Sequence, residues 1–143
     1  MSILILDASV AAKWFLPSAG EPLAEEAGVL LRRYTGGDVE FAVPDLFWAE
    51  TGNILWKGVR TGRLSARSAT DALTAMLQYG FPTVASRDLA DSALAIAFST
   101  GRTVYDAMYL ALSVQRNADF ITADERLVNV LATHWPVKWL GVL

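Results

Sequence analysis

A chain of 143 residues, 53% hydrophobic and only 19% charged, is long enough for one buried core and too apolar for a disordered segment. Its formal net charge of −3 gives no global basic footprint and weighs against a purely electrostatic nucleic-acid binder. With no cysteine, disulfides, thiolate nucleophiles and zinc–cysteine sites are excluded.

Ile3 to Leu6 is a short continuous apolar run, the pattern of a strand covered on both faces, and Asp7 ends it. Val10 to Leu16 reads as a short helix closed by Pro17. Glu21 to Tyr34 carries Leu23, Ala27, Leu30, Leu31 and Tyr34 at helical spacing until Gly36 and Gly37 stop it. A second strand is predicted at Phe41 to Val43, after which Pro44 and Asp45 open a helix running to about Arg60. Ser65 is a plausible N-cap for a helix to Tyr79. A third strand falls at Thr83 to Ala85, followed by helices at Asp88 to Ser99 and Tyr105 to Arg116 that Gly101 separates. Asp119 to Thr122 is a fourth strand, Asp124 to Ala132 a helix and Val137 to Leu140 a fifth strand.

This alternation predicts a single α/β domain over residues 1–143, with a parallel sheet of about five short strands and helices on both faces. No apolar run approaches the roughly 20 residues of a membrane span. The opening MSILILDASV has no basic region before its apolar run, so it reads as a buried strand and not a signal peptide. A cytoplasmic protein is the expectation. No Walker-type or G-x-G-x-x-G loop is present, so no nucleotide cofactor is expected.

Four carboxylates stand at the edges of these apolar segments: Asp7, Glu50, Asp106 and Asp124. Each has an ordinary structural use. Asp7 either caps the helix near Val10 or faces a ligand beyond the first strand, together with the Ser9 hydroxyl. Glu50 shares a stripe with Phe47 and Ile54, where a carboxylate is costly without a cationic partner; Lys57 could be that partner. Thr103-x-x-Asp106 resembles a capping box, and so does Thr122-x-x-Glu125, which leaves Asp124 free to point into the crevice beyond the strand ends. Scattered acids that converge in space have few uses other than holding a hard divalent cation such as Mg2+ or Mn2+.

The order of these elements is more specific than any one of them: an Asp after a strand, a Glu in a mid-chain helix, an Asp at a helix start, and an Asp in a T-x-D-E turn. On the segments LILDASV, VPDLFWAE, TVYDAMYLALS and FITADERL, the chain resembles the PIN domain, and most closely the small toxin ribonucleases of the VapC type. The resemblance runs from residue 3 to about residue 140. It implies a three-layer α/β/α fold and Mg2+- or Mn2+-dependent hydrolysis of RNA phosphodiester bonds. The catalytic and metal-binding residues would be Asp7, Glu50, Asp106 and Asp124. Asp7 and Asp106 are expected to ligate directly, and Glu50 and Asp124 through water or at a second ion. Ser9 and Thr122 are expected to support the ligands or contact phosphate. A homodimer and a cognate antitoxin that wraps the toxin are implied as well.

Other mechanisms fit less well. His134 is the only histidine, so a two-histidine ribonuclease is impossible, and its place late in the chain suits a surface or capping residue. A receiver domain needs an acidic pair at the first strand, and an aspartyl phosphatase needs D-x-D where this chain has D-A-S. A non-catalytic scaffold would be expected to lack some of the four acids. Trp14, Trp48, Trp56, Trp135 and Trp139 are expected mainly in the core, with Trp14, Phe15, Trp48 and Trp56 alternatively lining a groove for a partner helix.

Overall fold

The computed structural model of the protein describes residues 2–143. Five strands, β1 (Ser2–Leu6), β2 (Val39–Pro44), β3 (Thr83–Val84), β4 (Asp119–Thr122) and β5 (Val137–Trp139), form one sheet in the order β3-β2-β1-β4-β5. Every pairing is parallel, with Leu4 opposite both Phe41 and Asp119. The helices are α1 (Ala8–Ala11), which tightens into a 3-10 turn at Ala12–Trp14, α2 (Ala24–Thr35), α3 (Leu46–Arg60), α4 (Ala66–Gln78), α5 (Ser86–Thr100), α6 (Val104–Arg116) and α7 (Glu125–Leu131). A second 3-10 turn, Leu140–Val142, ends the chain.

Side chains alternate across the pleat, so each strand feeds two cores. Ile5, Ala42, Phe120 and Val137 face one layer, where they pack with Leu89 and Ala93 of α5, Ala107 to Leu112 of α6, and Leu127 and Leu131 of α7. Leu6, Phe41, Val43 and Ile121 face the other, against Val10 of α1, Ala27 and Leu30 of α2, Phe47 of α3 and Met76 of α4. Both faces being covered explains why the strands are nearly continuous in apolar residues. The result is the three-layer α/β/α arrangement that the β/α alternation predicts.

Several boundaries differ from the sequence reading. β2 begins at Val39, and α5 begins at Ser86. α2 starts only at Ala24, after Leu23 in the left-handed region (φ 60°). Glu21, expected inside this helix, instead binds Lys13 at 2.6 Å and Arg63 at 2.8 Å. Those contacts hold its carboxyl below the ordinary value against the opposing effect of burial and tie the loop before α2 to the α3–α4 turn.

The tryptophans split. Trp14 sits within an aromatic cluster with Phe41, Tyr79 and Phe81, its Nε1 donating to the Ala27 carbonyl at 2.8 Å. Trp48 stacks on Phe81 and donates to Thr83 Oγ1. Trp135 and Trp139 are half-buried, whereas Trp56 is 54% exposed.

The strand order positions the site. From β1 the chain winds outward through β2 to β3, then returns to the other side of β1 for β4 and β5. Connections therefore leave β1 and β4 in opposite directions, which opens a crevice beyond their carboxyl ends. Asp7 immediately follows β1, and Thr122 ends β4.

Candidate active site

At that crevice lies a cleft of about 410 Å3 lined by Asp7, Ser9, Glu50, Asn53, Asp106 and Asp124, with Ala8, Ala49 and Ile54. All four acids singled out in the sequence meet there, although they are spread over more than a hundred residues of chain. Among the described residues no three of them close into a preformed metal cage.

Asp7 is fixed by β1 and by its neighbour strand, its backbone N–H donating to the Ile121 carbonyl at 3.0 Å. Its side chain does not cap α1. Oδ2 instead accepts from Ser9 Oγ at 2.9 Å and from Thr122 Oγ1 at 2.7 Å. Burial pushes its carboxyl above the ordinary range despite these two hydroxyls, and the nearby Asp106 adds to the rise.

Glu50 lies on the half-buried side of α3. The expected partner, Lys57, is exposed and makes no ion pair with it among the described residues. The phenol of Tyr109 fills that place, donating to Oε1 at 2.6 Å. Tyr109 is 2% exposed and stacks on Phe120, with ring centroids 4.9 Å apart. Burial raises the Glu50 carboxyl, and Asp7 and Asp106 raise it further, while the Tyr109 bond opposes them. The phenol is in turn held well above its ordinary value by burial and by the charges of Asp7 and Glu50, so it remains a donor.

Asp106 stands in the first turn of α6. Thr103 is the N-cap, its Oγ1 accepting from the Asp106 backbone N–H at 3.1 Å. The carboxylate does not complete a reciprocal capping box; Arg102 Nη2 lies 3.4 Å from Oδ2.

Asp124 is the N-cap of α7, its Oδ1 accepting from Leu127 N at 3.2 Å. The predicted Thr122-x-x-Glu125 box does not form, because β4 extends through Thr122. The Thr122 hydroxyl is committed to Asp7 and accepts the Asp124 N–H at 3.1 Å. Ser9 completes the link between the strands by accepting from Ala123 N at 3.3 Å. Tyr109 and Arg102 escaped the sequence reading. The signal for Tyr109 was a hydroxyl one turn beyond Asp106, within the apolar stretch Ala107 to Leu112. His134 is exposed.

The acids face one another with little compensation, Arg102 being the one cation ion-paired to any of them among the described residues. All donors in the cleft are oxygens or a single amide. Such a set suits a hard divalent ion, and Mg2+ in particular, which keeps several waters and needs only one or two carboxylates.

Fold and cleft together define a three-layer α/β protein with an acidic site at the switch point of a parallel sheet. The sequence pattern of the PIN domain matches residues 4–131. Ribonuclease VapC3 of Pyrobaculum aerophilum is 31% identical over 129 residues, spanning 88% of this chain and 92% of that protein. The chain belongs to the PIN-domain family. Among solved structures, PAE2754 from Pyrobaculum aerophilum superposes with a TM-score of 0.69 at 23% identity, covering 99% of this chain and 85% of that one. VapC20 of Mycobacterium tuberculosis, described as a Sarcin-Ricin loop cleaving toxin, gives 0.65 at 16% identity, covering 92% and 95%. A toxin–antitoxin complex from Klebsiella pneumoniae gives 0.64 at 17% identity, covering 94% and 95%. At these identities the structural likenesses are likenesses of fold.

Proposed function

We propose that the chain is a VapC-type endoribonuclease, hydrolysing phosphodiester bonds of cytoplasmic RNA with Mg2+ or Mn2+ and acting as the toxin of a toxin–antitoxin pair. The observation that carries this reading is the meeting of Asp7, Glu50, Asp106 and Asp124 at one cleft, in a chain 31% identical to a protein named a ribonuclease.

Asp7 and Asp106 would hold the ion, with Glu50 and Asp124 assisting through water or at a second ion. The ion would supply positive charge to the phosphate and make water acidic enough to attack near neutral pH. Ser9 and Thr122 fix the Asp7 carboxylate without neutralising it. Tyr109 holds Glu50 Oε1, leaving Oε2 as the oxygen that can take a proton. Arg102, beside Asp106, is within reach of an anionic group entering the cleft. A protein antitoxin and a homodimer belong to the same proposal. They are supported by the toxin–antitoxin fold relative and by the exposure of Leu94 and Phe98, one turn apart on α5, apolar surface of the kind found at interfaces.

The test is cleavage of single-stranded RNA by purified protein with Mg2+ or Mn2+, with EDTA, and by Asp7→Asn. The expected result is metal-dependent cleavage that Asp7→Asn abolishes while circular dichroism stays unchanged. Full activity in EDTA or in the variant would refute it. Calorimetry showing no Mn2+ binding would point instead to a non-catalytic scaffold.

A further inference from the structure

The helical hairpin of α3 and α4 carries features that the acidic cleft does not use. Trp56 is 54% exposed, an unusual position for a large ring in a protein whose other tryptophans are at least half-buried. It lines an apolar hollow of about 280 Å3 with Gly52, Leu55, Val59, Ala69 and Leu73. Arg60 lies over the same ring, its guanidinium carbon 5.2 Å from the centroid. The hollow lies on the side of α3 that faces α4, and Asn53, which lines the acidic cleft, stands three residues before Trp56 on the same helix. Trp56 stands about 9 Å beyond Glu50 along the helix axis at 1.5 Å per residue.

The charge of this face is distinctive. Lys57, Arg60 and Arg67 are exposed and have no ion-pair partner among the described residues, and Asp71 is the one acid on α4. An otherwise acidic protein thus presents a local basic strip, centred on an exposed tryptophan, that leads away from the cleft. Single-stranded nucleic acid is held by this combination. Bases stack on an aromatic or guanidinium plane, and cations follow the backbone.

We propose that the α3–α4 face holds the single-stranded RNA next to the scissile bond. A nucleobase occupies the hollow against Trp56, with Arg60 and Lys57 on the adjoining phosphates and Asn53 bridging to the cleft. This rests on the ribonuclease reading and adds to it a substrate track. Such a track accepts unpaired nucleotides, whose bases can be splayed from a stack, and excludes a continuous duplex. It also places binding and chemistry on different parts of one helix, with Glu50 at the near end and Trp56 and Arg60 at the far end.

The test uses the Asp7→Asn protein as an uncleaving background and a fluorescently labelled single-stranded RNA of mixed sequence, followed by anisotropy. Adding Trp56→Ala should weaken binding about tenfold, Trp56→Phe should retain most of it, and thermal unfolding and mass by light scattering should stay unchanged. Lys57→Gln and Arg60→Gln should each lower the slope of log affinity against log salt by about 0.7. If Trp56→Ala binds RNA as tightly as its parent, the track is wrong and the ribonuclease reading stands. If the parent binds no RNA, both fall. Loss of self-association or of binding to a protein partner in Trp56→Ala, with RNA affinity intact, assigns the face to that protein and overturns the proposal.

Discussion

Asp7→Asn tests the electrostatics of the cleft independently of catalysis. The substitution keeps the shape of the side chain, and an amide oxygen can accept from Ser9 and Thr122 as Oδ2 does at 2.9 and 2.7 Å. What it removes is a carboxylate whose ionised form is disfavoured by burial and by Asp106, and which itself disfavours ionisation of Glu50. The folded-state value of Asp7 lies above its ordinary 3.8. Between those two values the folded protein therefore binds the extra proton, and wild-type stability falls as pH rises through that window. Below the window both states are protonated and the variant has no advantage. Above it Asp7→Asn should be the more stable protein, by about 1 kcal/mol if the gain is of the size common for single stabilising substitutions. For a chain of this size the gain corresponds to roughly 3 °C in Tm. Thermal unfolding monitored at several pH values with EDTA would measure it. Mg2+ at about ten times its dissociation constant should stabilise the wild type by about 1.4 kcal/mol and close the gap. A variant less stable than wild type at neutral pH, or an advantage that grows on acidification, would refute the reasoning.

Tyr109→Phe keeps the stacking on Phe120 and removes the donor to Glu50, so it should cost about 1.5–3 kcal/mol, the range for hydrogen bonds to charged groups. Because that bond holds the Glu50 carboxyl down, its loss should move the acid limb of the cleavage profile to higher pH; an unchanged profile of kcat/KM against pH would exclude the role. Leu110→Ala, at a fully buried position of α6, should cost about 2–5 kcal/mol in urea unfolding, and a smaller loss would mean that the helix is not the core element described.

Much of the fold was legible because its signals are local. Four-residue apolar runs such as Ile3 to Leu6 declare strands buried on both faces, and Ser65 caps α4 as predicted, accepting from Ser68 N at 3.0 Å. The misplaced boundaries have tertiary causes. Glu21 reads as a helical residue, yet two cations from distant segments hold it in the preceding loop. Thr122 reads as a helix cap, yet a partner more than a hundred residues away claims its hydroxyl. The strand order was not legible either, because alternation of β and α fixes the type of sheet without saying on which side of β1 the fourth strand will lie.

The acids themselves were readable in the sequence and their supports were not, and the difference has a physical basis. An acid meant for structure is usually neutralised by a cation, as Glu21 is by Lys13 and Arg63. Asp7 and Glu50 are held by hydroxyls of Ser9, Thr122 and Tyr109. A hydroxyl donor orients a carboxylate and leaves its charge in place, which preserves attraction for a cation arriving from solution. Ser, Thr and Tyr at these positions look unremarkable along the chain, because their value depends on an acid brought beside them only by the sheet. Burial is the first cause of the raised values of Asp7 and Glu50, and repulsion among the acids adds to it; both effects disfavour the charged cleft as long as no positive charge is near. Asp106 departs from the pattern, with Arg102 3.4 Å away. That distance and the side chain's partial exposure make the pair weak enough for a divalent ion or a phosphate to displace.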